Sequence, residues 1–409
     1  MVQQFEKTVL SGGLRVLSEY IPSVRSVSLG IWVQSGTRFE PPEQNGIAHF
    51  LEHMMFKGTK RRTARQIARS IETLGGNINA FTAKEQTCYY VEVLDEHLVK
   101  AVDVLADMLC QSRFPPREIE KERQVILDEI LSLEDAPDEL IQEQFVEYLF
   151  PDHGLGRPIM GTAPTVRRIT RESLLEFYHA FYRAPNILIT AAGNVDHHRL
   201  CRLCEERFQF DGTPAQLPPE SPGLPRQGEF RIKKSVNQAH ICAGGRAYPF
   251  GHPRQYDLLV LNTILGGGMG SRLFQNIRER HGLAYSIYSF LDFFSDAGFW
   301  GVYLGTDGGN LSRALTLLER EFEKLREKGV SQKEVQEARS QLKGNLVLAL
   351  ESTARRMNRL AIMEIYLGRL YTIDEVIERI NQVSVASIRE VIEDVFAPER
   401  ILRIIYQPD

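Results

Sequence analysis

The sequence has little that would mark a secreted, membrane or nucleic-acid-binding protein. Its 409 residues include 5 cysteines and 2 tryptophans, and the formal net charge is −4. Cysteines that are few, odd in number and scattered favour a reducing compartment over a disulfide framework. No apolar run approaches the ~18 residues of a membrane span. A near-neutral charge carries no bulk signature for nucleic acid or an anionic membrane, so we expect no nucleic-acid partner and no membrane span.

The N-terminus also lacks the features of an export signal. Residues 1–10 carry no basic segment followed by an apolar core of about 7–15 residues, and they pass almost at once into the alternation of a strand. Together with the cysteine count, this leads us to expect a cytoplasmic protein.

What is present is a composition typical of globular domains. Hydrophobic residues make up 43% of the chain and charged residues 25%, so a disordered chain and a coiled coil are both disfavoured. The length allows two or three domains of ~100–200 residues. The clearest break is a proline-rich stretch at 213–228, which is typical of a linker. It predicts one domain at 1–212 and another at 229–409.

The two halves show the same order of predicted elements. In each, a strand is followed by two helices, a pair of strands and further helices, and the segment 97–105 aligns with 310–318. We therefore predict an α+β fold with two homologous domains. Each domain is expected to be a mostly antiparallel sheet with helices packed on one face.

The sharpest local pattern is His49-Phe-Leu-Glu-His53, inside a stretch that predicts a helix over 45–56. Residues four apart share a helix face, so His49 and His53 can direct two imidazoles at one ion. Glu52 lies on the same side and is placed to accept a proton from a metal-bound water. The flanking residues are apolar, and burying these three groups is costly without partners or a metal. The pattern predicts a catalytic zinc site, with chance recurrence on a half-buried helix as the alternative.

Catalytic zinc usually has three protein ligands, so a third is required. A second helix is predicted over 117–133, and Glu122 and Glu129 lie on its apolar stripe, seven residues apart. Carboxylates in an apolar stripe are out of place unless they have partners. Both are therefore candidates, and a solvated acidic face is the alternative.

These residues resemble the inverzincin metallopeptidases of family M16, the family of pitrilysin and insulinase. The resemblance covers essentially the whole chain and is closest to the short, two-domain branch of bacterial processing-peptidase-like proteins and the mitochondrial processing peptidase beta subunit. It implies a zinc-dependent endopeptidase that hydrolyses extended or unfolded peptides. It also implies one Zn²⁺ per chain, bound by His49, His53 and Glu129, with Glu52 as the general base and Glu122 supporting a ligand through hydrogen bonds.

Two further segments match the same family. The segment 75–90 resembles the edge strand on which the family holds an extended substrate by backbone pairing, and Asn79 and Ala80 would face that substrate. In the second half, Arg278 and Tyr285 stand in a segment that resembles one reaching the zinc site. The resemblance implies that Arg278 holds a substrate carbonyl and that Tyr285 stabilises the oxyanion. Ordinary hairpin and helix structure is the alternative for both segments.

The second copy lacks the metal-binding residues. At the repeat spacing, the counterparts of the three expected ligands are Asn262, Gly266 and Asn345. We therefore expect one zinc site per chain and an inactive second domain. Longer family members carry four such domains, so the resemblance implies a homodimer, or a heterodimer with a homologous M16 chain. A non-catalytic partner or structural subunit is the rival function, and peptide degradation and presequence processing both remain open.

Two other patterns have simpler explanations. His197, Cys201 and Cys204 share a predicted helix face, but Asp196 is a good helix cap and the cysteines belong to an apolar stripe, which predicts ordinary packing. The glycine run at 266–270 lacks the ending of a phosphate loop, and it predicts a turn between two helices.

Overall fold

The computed structural model describes residues 5–215 and 221–408, which form two compact units. The first unit draws on Met1–Leu131, Arg157–Glu220 and Ala349–Leu370, and the second on Ser132–Gly156, Ser221–Leu348 and Tyr371–Asp409. Part of the predicted linker, 216–220, lies outside the described residues. Residues 213–215 and 221–227 of that stretch form neither helix nor strand.

The strands of the first unit are β1 Phe5–Val9, β2 Arg15–Tyr20, β3 Ser26–Val33, β4 Asn77–Thr82, β5 Thr87–Leu94 and β6 Ile187–Gly193. Those of the second unit are β7 Gly228–Lys234, β8 Ala239–Ala247, β9 Ser286–Phe293, β10 Gly298–Thr306 and β11 Leu402–Pro408.

The helices up to residue 207 are α1 Ile47–Met55, α2 Ala64–Glu72, α3 Leu98–Gln111, α4 Pro116–Glu134, α5 Pro137–Leu149, α6 Ala163–Arg168, α7 Arg171–Phe181 and α8 His197–Arg207. The later helices are α9 Gln255–Gly266, α10 Leu311–Lys328, α11 Gln332–Ala349, α12 Thr353–Leu367, α13 Ile373–Gln382 and α14 Val385–Val395. A π-helical turn at Phe274–Glu279 follows the glycine run, which forms a turn after α9 as predicted.

The two sheets have the same strand order apart from β1. The first sheet runs β1-β2-β6-β3-β5-β4 and the second β7-β11-β8-β10-β9. Neighbouring strands are antiparallel except for the pairs β2 with β6 and β7 with β11. The prediction of two homologous α+β domains with mostly antiparallel sheets is confirmed.

Alternation along β3 separates the two faces of the first sheet. Val27, Leu29 and Ile31 lie in a large core formed with α1, α2, α3, α4, α7 and α8. Each fully buried side chain of this kind contributes about 1.5–3 kcal/mol. Trp32 belongs to the opposite face, where it packs in a second cluster with Met357 of α12. Helices were expected on one face of the sheet only, and α12 covers the opposite face as well.

The second sheet has the same arrangement, with a helix from the other half of the chain. Ile141, Phe145 and Leu149 of α5 share a cluster with Phe299 and Ile404 of that sheet. Helix α5 precedes the linker in sequence and belongs to the second unit, whereas α12 follows the linker and belongs to the first. The two copies thus exchange one helix each, which the repeat pattern did not predict.

None of the helices within 5–215 and 221–408 has a segment both long and apolar enough to cross a membrane.

Candidate metal centre

Helix α1 carries the histidine pair and begins at a glycine without a side-chain cap. Gly46 has φ +96°, a left-handed conformation that glycine adopts easily. The buried carboxylate of Glu40 does the capping instead, since it accepts the backbone N–H of Gly46 at 2.8 Å and of Ala48 at 2.9 Å. Burial raises the pKa of Glu40, and these hydrogen bonds oppose the rise. Sequence reasoning missed Glu40, although an acidic residue shortly before a glycine-led helix was an available signal.

Three side chains from α1 and α4 converge. His49, His53 and Glu129 each offer a donor atom, and these atoms lie within 4.8 Å of one another. Nε2 of His49 is 3.9 Å, and Nε2 of His53 3.8 Å, from Oε2 of Glu129. Two donors on one zinc ion, each at ~2.0–2.1 Å, lie at most ~4.2 Å apart, so both separations fit. Two imidazoles and a carboxylate are also a donor set of catalytic zinc sites. Within the described part of the chain, no second group of this kind is found.

The surroundings of His49 favour its neutral form. Its side chain is 14% exposed, and burial, with a contribution from neighbouring His53, lowers its pKa from 6.5 to about 3. A neutral imidazole keeps the lone pair that metal coordination requires. Nδ1 is buried and has no hydrogen-bond partner among residues 5–215 and 221–408. Nε2, which faces Glu129, is therefore the ring atom of His49 that is placed to bind a metal ion.

His53 is held by a carboxylate that is itself held by a lysine. Glu122 is 6% exposed, and its Oε2 accepts the Nδ1–H of His53 at 3.1 Å. Its other oxygen, Oε1, lies 2.6 Å from Nζ of Lys57. A carboxylate ion only accepts hydrogen bonds, so Nδ1 carries the proton and Nε2 keeps its lone pair. Lys57 was not among the predicted site residues, although its place one helical turn after His53 was a usable signal.

Glu52 stands apart from the three donors. The Oγ1–H of Thr82, at the end of β4, donates to its Oε2 at 2.6 Å. Burial raises the pKa of Glu52, while the Thr82 hydrogen bond and nearby His53 oppose the rise. A raised carboxyl pKa brings the group closer to the range in which it can take up and return a proton near neutral pH.

Asn79 and Ala80 lie on β4, the last strand of the first sheet. They pair with Tyr90 and Tyr89 of β5, and no described strand pairs with the other edge of β4. Oδ1 of Asn79 accepts the backbone N–H of Ala80 at 2.8 Å. An unpaired strand edge is able to bind an extended peptide through its backbone, and the role of these two residues stays a prediction.

Arg278 and Tyr285 belong to the second unit. The guanidinium of Arg278 lies 4.7 Å from the ring centre of Phe274 and 5.9 Å from that of Tyr285. Tyr285 as a whole residue is 78% exposed. The two side chains are thus neighbours on that unit, and their action at the metal cluster stays a prediction.

His197, Cys201 and Cys204 are explained by packing, as the apolar stripe predicted. Nδ1 of His197 lies 2.8 Å from Oγ of Ser18, and Nε2 lies 2.9 Å from Oγ1 of Thr8. Burial raises the pKa of Cys204, which keeps its thiol protonated. The imidazole is therefore satisfied by hydroxyl groups of β1 and β2.

The chain matches known proteins along almost its whole length. Residues 15–163 match the family model for insulinase (peptidase family M16), and residues 168–342 match that for the peptidase M16 inactive domain. An uncharacterised zinc protease of Bacillus subtilis is 40% identical over 393 residues, which cover 96% of each chain. An uncharacterised zinc protease of Streptomyces coelicolor is 39% identical over 408 residues. That match covers 98% of this chain and 89% of the relative.

Solved structures agree on the fold. A protease from Helicobacter pylori superposes with a TM-score of 0.92 at 20% identity, with 100% of both chains covered. The fold and the cluster define a class of two-domain α+β proteins whose first domain carries a His-His-Glu donor set. More particularly, the chain belongs to peptidase family M16, and the resemblance seen in the sequence is confirmed.

Proposed function

We propose that this protein is a zinc-dependent endopeptidase that hydrolyses extended or unfolded peptides. The observation that carries the proposal is the convergence of His49, His53 and Glu129, with Glu52 on the same helix as the two histidines. The names of the Bacillus and Streptomyces relatives, both zinc proteases, support the same activity. In the second copy, the three equivalent positions hold Asn262, Gly266 and Asn345. This difference supports one zinc ion per chain.

The donor set accounts for how the metal is held. His49, His53 and Glu129 would bind zinc, and Glu122 with Lys57 would keep His53 in the tautomer that coordinates through Nε2. Bound zinc supplies Lewis acidity, which polarises a water molecule and lowers its pKa toward ~7.

The remaining steps belong to side chains of this protein. Glu52 would accept the proton of the attacking water on its carboxylate and return it to the leaving amine, so that one proton is passed on and the base is regenerated. Substrate backbone would pair with the edge of β4 near Asn79 and Ala80. Arg278 would hold a substrate carbonyl, and the hydroxyl of Tyr285 would donate to the oxygen that becomes negatively charged.

Assembly and location complete the proposal. A two-domain chain would associate with a second copy, or with a homologous M16 chain, in the cytoplasm. Size-exclusion chromatography of the purified chain distinguishes a homodimer from a monomer that requires another partner.

The decisive experiment combines metal analysis with a quenched fluorescent peptide. We expect about one zinc per chain and cleavage that a chelator abolishes and zinc restores. Glu52→Gln should keep the metal and lose about 10²–10⁴-fold in kcat, because proton transfer is lost. Glu129→Gln should lose the metal.

Glu134→Gln is a matched control, because this exposed glutamate ends the same helix α4; it should change neither zinc content nor rate. A pure chain that binds no zinc and cleaves no peptide would overturn the proposal in favour of a non-catalytic subunit. Cleavage by Glu52→Gln at the parent rate would refute the role of this carboxylate.

A further inference from the structure

Thr82 is tied to the carboxylate that the proposed mechanism uses as a base. Its Oγ1 lies 2.6 Å from Oε2 of Glu52. Among residues 5–215 and 221–408, this is the one hydrogen bond that the Glu52 side chain makes, so Oε1 has no protein partner there. One oxygen of the base is thus held, and the other is left for water.

The direction of this hydrogen bond follows from its acceptor, because a carboxylate ion only accepts and the hydroxyl of Thr82 must then donate. Oγ1 of Thr87 lies 2.8 Å from the carbonyl oxygen of Ser35, to which it must donate, because a carbonyl only accepts. Oγ1 of Thr87 is also 3.4 Å from that of Thr82. Thr87 therefore has no proton left for Thr82, and the 2.6 Å contact of Thr82 with Glu52 is much shorter than its 3.4 Å contact with Thr87, so the Thr82 proton goes to Glu52.

The fold gives this contact a second consequence. Thr82 is the last residue of β4, the strand whose free edge is proposed to pair with substrate. Ala80, whose backbone would pair with the peptide, and Thr82, whose hydroxyl orients the base, are therefore two residues apart on the same strand.

We infer that Thr82 is a positioning residue for the proposed hydrolysis. It fixes the Glu52 carboxylate relative to the strand that would bear the substrate, and it leaves Oε1 as the oxygen that would take up the proton. The inference rests on the proposed function, and it adds a residue that acts through Glu52 without touching metal or substrate. A misplaced base lowers the rate of the chemical step, whereas peptide binding to the strand edge is left intact.

The test compares two substitutions at this position. Thr82→Val removes the hydroxyl, keeps the shape and suits a strand, whereas Thr82→Ser keeps the hydroxyl. We expect Thr82→Val to lower kcat by about 10–100-fold with KM changed less than about threefold. Thr82→Ser should recover kcat to within about fivefold of the parent. Zinc affinity, measured by chelator competition, should be the same in all three proteins.

A double-substitution cycle shows whether Thr82 works through Glu52. In the Glu52→Gln background, adding Thr82→Val should change the residual rate less than about twofold, because the carboxylate to be oriented is already absent. Thr73→Val is a matched control, since Thr73 gives its hydroxyl proton to the Arg69 carbonyl on the exposed end of α2. It should leave kcat and KM unchanged.

Several outcomes would overturn the inference. These are parent-like kcat in Thr82→Val, a loss that appears in KM, a serine variant as slow as the valine variant, or loss of zinc. If the parent shows no zinc-dependent cleavage, the proposed function itself fails. If the parent is active and Glu52→Gln is not, parent-like turnover by Thr82→Val refutes the role of Thr82 alone.

Discussion

The two copies of the domain share a frame and differ in what they carry on it. Apart from β1, the strand orders coincide, and α1 and α4 of the first copy correspond to α9 and α11 of the second. Helix α1 presents His49 and His53, whereas the equivalent positions of α9 hold Asn262 and Gly266. The frame is therefore compatible with a metal centre but does not create one.

Packing also distinguishes the copies at the position of His53. A Cβ added to Gly266 would stand 2.3 Å from the backbone nitrogen of Ser289 in β9. Oγ of Ser289 donates to the carbonyl oxygen of Asn262 at 3.0 Å, which binds the strand to the helix. In the second copy, the space of an imidazole is thus occupied by β9. Loss of the site involves both the residue types and the approach of strand to helix.

The largest effect is expected from making the first copy resemble the second at His49. In the zinc-free protein its pKa is about 3, below the unfolded value of ~6.5, so the folded state binds fewer protons between these values. Stability should therefore fall as pH drops from ~6.5 toward ~3, by about 3 kcal/mol at pH 4 from this group. His49→Asn should remove that part of the pH dependence.

Urea unfolding of chelator-treated protein between pH 7 and pH 4 checks this prediction. His53 and Glu129 lie beside position 49 in both proteins, so the quantity to compare is the difference between parent and variant at each pH. Parallel curves for the two proteins would contradict the assignment of a buried neutral imidazole.

A smaller effect is expected in the second copy, where β9 lies close to Gly266 of α9. Gly266→Ala should destabilise the second unit by about 1–3 kcal/mol, because the added methyl group meets backbone that has to move. Gly344→Ala is the control, since a Cβ there meets nothing within 4 Å in the middle of α11; it should stabilise by about 0.5–1 kcal/mol.

Tryptophan fluorescence makes this measurement specific to one copy. Trp32 lies in the first unit and Trp300 in the second, so a Trp32→Phe background reports on the second alone. An unchanged unfolding midpoint for Gly266→Ala would show that β9 leaves room for a side chain at position 266.

The smallest effect is expected at Lys57, which has a role in the first copy only. Lys57→Met should weaken zinc binding about five- to tenfold, because Glu122 loses the cation that holds it on His53. Chelator competition measures the change. Lys60→Met, an exposed lysine of the same loop, should leave zinc affinity unaltered, and an equal loss in both variants would point to a general charge effect.

Much of the site was predictable because it is local. The spacing of His49, Glu52 and His53 on one helix needs only helical geometry, and each of them lies on α1. Glu122 and Glu129 were candidates because carboxylates interrupt an apolar stripe. The stripe alone did not assign their roles, and the family resemblance was needed to name Glu129 as a ligand.

Other parts depended on contacts between distant segments. The place of Glu40 before a glycine-led helix does not by itself show that its carboxylate caps α1, and no pattern in the sequence pairs Thr82 with Glu52. The apolar stripe of α5 shows that one face is buried, but burial of Ile141 and Phe145 is favourable against any apolar surface. The sequence pattern therefore could not tell that α5 covers the second sheet and α12 the first.

By itself, the sequence determined the class of fold, the duplication and the common helix face of His49 and His53, because hydrophobic period and helical spacing act over a few residues. Only the tertiary structure decided the exchange of α5 and α12, the close approach of β9 to Gly266, and the contacts of Lys57 with Glu122 and of Thr82 with Glu52. These depend on which surfaces meet. The hydrophobic effect is non-directional and leaves that choice to packing and hydrogen-bond geometry across the whole domain.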